Sequence, residues 1–211
     1  MEDALTAAES GVQALGYIFY PPSPRYIHPL RAKAIMDRVP SRVIRVGVFV
    51  NQGYQEILAI ARICRLHLIQ LHGDETPEFC RRFPASRLIK AVAPRHEHDL
   101  LTLKSYRVRG LLIDARRPGV FGGTGERADW TLARKAGENQ PLILAGGLGE
   151  DNVAEAIRSV SPRALDLNSG LESSPGKKDP RKIERVMEII RGLQAAEPAA
   201  GVKPLFGHEE R

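Results

Sequence analysis

The stretch VIRVGVFVNQGYQEILAIARICRLHLIQLHGDE, residues 43–75, decides the fold. It opens on a β-branched, almost uninterrupted apolar run at 43–50 and breaks at the polar turn NQG. It then carries helix-like spacing through Ile57, Leu58, Ile60, Ala61 and Cys64, and returns to a second apolar run at 66–72. Near-continuous apolarity, rather than strict alternation, marks strands covered on both faces, as in a parallel sheet wrapped by helices. The unit is strand, helix, strand.

The same pattern recurs outward in both directions. LGYIF (15–19), RLIKAVA (87–93), GLLIDA (110–115), PLILAGG (141–147) and ALDLNSG (164–170) read as further strands, which makes seven. Helical spacing separates them, for example Val153, Ala156, Ile157 and Val160 after the expected cap Asp151. Repeated β-then-α units leave an open doubly wound sheet or a closed (β/α)₈ TIM barrel. The strand ends favour the barrel, because polar and Gly-rich segments gather after each one: PPSPR, NQG, HGD, DARRPGVFGGTG, GGLGEDN and NSGLESSPGKK. In a barrel those loops share one face and build the active site. An even barrel needs eight strands, yet helix-like EDALTAAES precedes the first visible run. The expectation is a TIM barrel whose first strand is missing, leaving two unpaired sheet edges.

At 211 residues one domain is expected, since single cores grow to roughly 250 residues before chains split. Residues 1–194 read as the barrel, and 195–211, with their Pro, Gly and charges, as a flexible tail. Hydrophobic residues at 43% and charged residues at 27% exclude disorder, and no apolar run reaches the roughly 18 residues that span a bilayer. A cytoplasmic protein without membrane association is expected. The formal net charge of +6 is spread along the chain with no basic arm, so a nucleic-acid partner is not indicated. Cys64 and Cys80 lack CxxC spacing and clustered histidines; free, buried thiols and no metal site are expected.

GYIFYPPSPRYIHP (16–29), VGVFVNQ (46–52), IQLHGDE (69–75), LIDARRPGVFGGTG (112–125), DW (129–130), LILAGGL (142–148) and LDLNSGLESSPGKKD (165–179) occur in an order and spacing that resemble phosphoribosylanthranilate isomerase. The resemblance covers roughly residues 2–194. It implies an enzyme of tryptophan biosynthesis that performs an Amadori rearrangement of N-(5-phosphoribosyl)anthranilate without a cofactor, on a small phosphorylated substrate. The oligomeric state, monomer or homodimer, stays open.

Ring opening needs an acid at the ring oxygen, and the resulting Schiff base needs a base to remove the sugar's C2 proton. Asp114, ending its strand, matches the family's general acid; a carboxyl donates when apolar walls raise its pKa, and Leu111, Leu112, Ile113 and Phe121 are the candidate walls. The plain alternative is a carboxylate capping its own loop. Arg25, after stiff PPSP, matches the arginine for the anthranilate carboxylate, a planar fork suited to that group. Gly146, Gly147, Ser169 and Gly170 match the phosphate loops, where small residues let backbone N–H groups approach an anion; on their own, such glycines equally mark tight turns. Asn168 stands where the family more usually has serine. Gln70, His72 and Asp166 match polar positions toward the mouth, with structural hydrogen bonding as the alternative for each.

GGTG at 122–125 lacks the lysine and hydroxyl of a nucleotide-binding P-loop and reads as a lid, with Glu126, Arg127 and Ala128 departing from the family before DW. The larger departure is at the start. The family opens on a strand carrying Lys-Ile-Cys-Gly, whose cysteine is the general base. Cys64 and Cys80, in outer-helix patterns, do not replace it. Met1 is therefore expected to be an internal methionine of a longer reading frame, and the alternative is a non-catalytic, truncated barrel that keeps phosphorylated-ligand binding.

Overall fold

A computed structural model describes residues 1–114, 128–196 and Leu205. Seven parallel strands run in sequence order: β1 (Ala14–Ile18), β2 (Ile44–Phe49), β3 (Leu68–Leu71), β4 (Leu88–Val92), β5 (Gly110–Ile113), β6 (Leu142–Leu144) and β7 (Ala164–Leu165). All seven expected strands form. Each neighbour pair is in parallel register, from Ala14 opposite Ile44 at one edge to Leu144 opposite Leu165 at the other. Among the described residues β1 and β7 remain the two edges, so the sheet is a curled barrel wall with an open seam.

Helices fill the crossovers: α2 (Pro29–Met36), α3 (Tyr54–Ile63), α4 (Pro77–Cys80), α5 (Asp99–Leu103), α6 (Trp130–Gly137) and α7 (Val153–Val160). Helices α1 (Glu2–Glu9) and α8 (Pro180–Ala196) stand beside the seam. Local chemistry starts several of them. Thr76 accepts from the Phe79 N–H at the head of α4, and Asp129 from Thr131 and Leu132 at the head of α6. The expected Asp151 cap is replaced: α7 begins after Asn152, whose amide instead braces the preceding turn through the Gly149 N–H and the Gly147 carbonyl. One element escaped the sequence reading, an antiparallel hairpin of β8 (Glu172–Ser174) and β9 (Lys177–Lys178) inside the expected loop.

Two-sided burial of the strands follows from alternation. Phe49, Ile57, Ile60, Cys64, Leu71, Phe83 and Leu88 pack between wall and helices, whereas Val46, Leu68, Ile89, Ala91, Leu112, Ile143 and Ala145 fill the barrel interior. Leu205, from the stretch expected to be tail, joins that inner cluster. It packs within 3.5 Å of where a Cβ on Gly110 would stand, and its carbonyl accepts two bonds from the Arg109 guanidinium. It floors the barrel at the strands' N-terminal end. Both cysteines are free and buried, as expected.

Lys90 breaks the apolar pattern of β4. It is 2% exposed and lies on the helix side of the wall, where its ammonium meets the Glu75 carboxylate at 2.9 Å and the carbonyls of Gly73 and Ala91 at 2.8 and 2.9 Å. Glu75 also accepts from the N–H groups of Asn51 and Gly73, and Asn51 accepts from the Asp74 N–H. Two βα loops are thus sewn together around one buried ion pair. Lys90→Met removes one charge and strands the other, which should cost about 3–5 kcal/mol in chemical denaturation. Pairing it with Glu75→Leu should recover most of that loss, and a single variant as stable as wild type would contradict the assignment.

Candidate active site at the mouth of the barrel

The site is built on the two-residue period of the strands. On β3, Leu68 faces the interior near the floor, and its inward successors are Gln70 and then His72; on β5, Leu112 is followed by Asp114; on β7, Ala164 by Asp166 and then Asn168. Each strand therefore carries apolar residues low in the barrel and polar ones at its C-terminal rim.

All of these residues except Leu68 line one cleft of about 1300 Å³, which also takes in Arg25, Gly146, Gly147, Ser169 and Lys178. It extends between β1 and β7, bounded there by Ala14, Gly16 and Ile18 on one side and Leu165 and Leu167 on the other.

At the centre, Gln70 Nε2 lies 3.0 Å from His72 Nδ1, and His72 Nε2 lies 3.2 Å from Asp114 Oδ2. An amide nitrogen only donates, so Nδ1 accepts and the ring hydrogen sits on Nε2, directed at Asp114. Asp166 completes the cluster. Burial in the cleft raises its pKa and the Asp114 carboxylate adds to that, with His72 and Lys178 opposing. The apolar surroundings expected for Asp114 are only partly there: Leu112 lines the cleft, but Leu111 and Ile113 turn outward into the core under the helices, and Phe121 falls outside the described residues. The GGTG segment, Glu126 and Arg127 also fall outside them.

The glycine turn after β6 has positive φ at both Gly146 (89°) and Gly147 (59°), a conformation open to glycine without steric cost. Ser169 opens a short 3₁₀ turn beside it. Gly170, grouped with these in the sequence reading, is not among the cleft-lining residues; a Cβ there would stand 2.0 Å from the Leu148 carbonyl oxygen, so its glycine permits loop packing.

Arg25 reaches the cleft from the loop after β1. Its Nε and Nη2 donate to the two carboxylate oxygens of Glu172 at 2.8 and 2.7 Å. Lys178, also lining the cleft, donates to the Asn168 backbone and side-chain oxygens at 2.8 and 2.7 Å and to Glu172 at 3.2 Å. Glu172 and Lys178 lie in the NSGLESSPGKK segment, and neither is a site residue expected from sequence. Their signal was a charged pair six residues apart across a Pro-Gly turn, which is what a hairpin presents face to face.

The family model described as N-(5'-phosphoribosyl)anthranilate (PRA) isomerase matches residues 1–189. The chain belongs to this family. It is 53% identical over 194 residues to N-(5'-phosphoribosyl)anthranilate isomerase of Syntrophus aciditrophicus, covering 92% of this chain and 84% of that protein. The Thermotoga maritima phosphoribosyl anthranilate isomerase structure is 41% identical with a TM-score of 0.82, covering 91% of this chain and 94% of that one. A further isomerase structure, 40% identical with a TM-score of 0.79 and the same coverage, holds reduced 1-(o-carboxyphenylamino)-1-deoxyribulose 5-phosphate. Among the described residues no helix is long and apolar enough to cross a membrane.

The raised pKa of Asp166 has a stability consequence with a definite sign. A carboxyl that holds its proton more tightly in the fold than in the unfolded chain costs nothing below its unfolded-state pKa; the cost grows as pH rises from there and is complete once pH passes the folded-state pKa. Asp166→Asn should therefore melt higher than wild type at pH 7, by roughly 2–4 °C for each kcal/mol relieved in a chain of this size. The gap should close toward about pH 4, near the ordinary aspartate value. Identical melts across that range would remove the assignment.

Proposed function

We propose that the cleft takes N-(5-phosphoribosyl)anthranilate and that Asp114, Arg25 and the loops after β6 and β7 divide the isomerisation among them. The observation that carries this reading is the convergence in one cleft of the Gln70–His72–Asp114 hydrogen-bonded row with an arginine on one side and a positive-φ glycine turn on the other. Such a cleft matches a substrate with a carboxylate at one end, a phosphate at the other and an acid-labile ring between.

In this reading Asp114 delivers a proton to the furanose oxygen as the C1–O bond breaks, and the anthranilate nitrogen's lone pair forms the Schiff base. Removal of the C2 proton then gives the enolamine, which tautomerises to the 2-ketose. The His72 Nε2–H holds Asp114 in its working orientation and disperses the charge left after proton delivery. Asp166 faces the same space and accepts from the anthranilate amine. The Arg25 fork takes the carboxylate, and the N–H groups around Gly146, Gly147 and Ser169 take the phosphate, with Gly170 shaping that loop from behind. The single unit 1–194 carries this activity. We infer a cytoplasmic enzyme, as suits a small phosphorylated metabolite.

The base for C2 is a separate matter. Neither thiol of the 211 residues lines the cleft: Cys64 donates to the Pro29 carbonyl beneath α2, and burial pushes the Cys80 thiol up to about 11. That observation favours a second reading, ligand binding without efficient turnover.

One experiment separates the two: affinity for the reduced product and conversion of phosphoribosylanthranilate, measured on the same preparation. Isomerisation that falls roughly 10²–10⁴-fold in Asp114→Asn, with analogue affinity nearly intact, supports the first. Tight binding with no conversion supports the second. In both readings Arg25→Lys should weaken the analogue, since a point charge does not reproduce a planar fork; equal affinity would remove Arg25 from the carboxylate site.

A further inference from the structure

Arg25 already holds a carboxylate. Its bidentate pair with Glu172 uses Nε and one Nη2 hydrogen, so three of the five guanidinium N–H donors are left: the other Nη2 hydrogen and both on Nη1. Two arrangements are conceivable for an incoming carboxylate. It displaces Glu172 from the side-on edge, or it docks on the end of the fork that Glu172 leaves open.

The surroundings of Glu172 favour the second. Its carboxylate also accepts from the Lys178 ammonium at 3.2 Å and the Gly176 N–H at 3.3 Å, and its own carbonyl accepts from Lys182 at 2.9 Å. It sits on β8, paired in register with Lys178 of β9, and its side chain is 5% exposed. Burial alone would raise the pKa of Glu172, but Arg25 and Lys178 hold it below the ordinary value, so the carboxylate stays charged. Lys178 in turn has no hydrogen to spare, because its three donors are matched by Asn168 O, Asn168 Oδ1 and Glu172 Oε1. The hairpin tip abuts the arginine's own loop: a Cβ on Gly176 would stand 3.4 Å from the Pro24 carbonyl oxygen. Swinging Glu172 out would strip a buried ion from several partners at once. Leaving it in place keeps a cluster of Arg25, Lys178 and Glu172 with net charge +1, the complement of one more carboxylate.

We propose that Glu172 is a positioning residue that presets Arg25 for the substrate's aromatic carboxylate, which docks end-on against the Nη1 and Nη2 hydrogens that Glu172 leaves free. Glu172 touches no substrate atom. It contributes by removing the rotamer freedom that a long arginine side chain would otherwise lose on binding, so its effect is confined to ligands bearing the carboxylate.

The proposal rests on the reading of Arg25 given above. The test titrates two ligands calorimetrically into the full chain: the reduced product carrying its 2-carboxyphenylamino group, and the phenylamino counterpart without the carboxylate. Wild type should prefer the carboxylated ligand by roughly ten- to a hundredfold, the range expected of hydrogen bonds to a charged group. Glu172→Gln should cut that preference about tenfold or more while leaving the phenylamino ligand nearly unaffected. In an Arg25→Met background the same substitution should change the preference little, because Glu172 acts only through Arg25. The readout is a ratio on one preparation, so a loss of folded protein cancels, and Glu172→Asp supplies a second variant that keeps the charge. Preference retained in Glu172→Gln, or equal weakening of both ligands, overturns the proposal. Wild type binding both ligands equally, or neither, overturns it by a different route, through the role of Arg25 or of the cleft itself.

Discussion

The pair between Arg25 and Glu172 joins residues 147 positions apart, one in the loop after the first strand and the other in the hairpin after the last. Among the described residues the ladder runs from β1 to β7 without joining them, so nothing in it fixes the distance between those two strands. Contacts across the seam have to do so. Asp3 of α1 accepts from the Lys178 N–H, Arg191 of α8 donates to the Ser10 carbonyl, and the buried Arg25–Glu172 fork closes the rim. Loss of that pair would free the loop after β1 from the hairpin that follows β7.

The rim carries groups of opposite sign. Asp114 and Asp166 make the centre of the mouth acidic, while Arg25 and Lys178 make its flank basic. Burial in the cleft raises the Asp166 pKa first, and the neighbouring Asp114 carboxylate adds to that, so Asp166 holds its proton above the ordinary aspartate range. His72 stands between structure and chemistry here: its Nδ1 is occupied by Gln70, so only Nε2 faces Asp114, and one tautomer is selected before any ligand arrives.

Much of this was legible in the sequence. The seven strands were, because burial on both faces leaves an apolar run that no surface strand would carry, and the rim residues were, because each follows such a run at a two-residue interval. Gln70, His72, Asp114 and Asp166 all reach the cleft that the strand ends implied. What the sequence concealed is long-range. Glu172 and Lys178 read as ordinary charges in a Gly-containing loop until the hairpin folds, and the arginine that Glu172 pairs with lies 147 residues away; no local period encodes that. Lys90 looked like a polar interruption in β4, and only the assembled loops around Gly73 and Glu75 explain a charge buried on the helix side. Gly170 reads as a phosphate contact by type, and its proximity to the Leu148 carbonyl gives it a packing reason that the sequence does not show. Leu205, placed by composition in a tail, is apolar enough to occupy a floor that its neighbours in sequence do not advertise.

These cases share a cause. A (β/α) barrel separates what stabilises from what reacts along each strand, so residues low on the strands are read correctly from hydropathy alone, and those at the rim need partners from other strands before their role is defined. Polarity at the rim is therefore ambiguous in sequence by construction: a carboxylate there can line the open cleft beside a histidine, as Asp114 does, or pair with an arginine, as Glu172 does. The arginine resolves the ambiguity. A bidentate partner behind the guanidinium leaves a directed end in front of it, whereas Asp114 meets the Nε2 of His72 at 3.2 Å. Two buried acidic groups of one mouth thus differ in the basic groups that reach them, a histidine for Asp114 and an arginine and a lysine for Glu172.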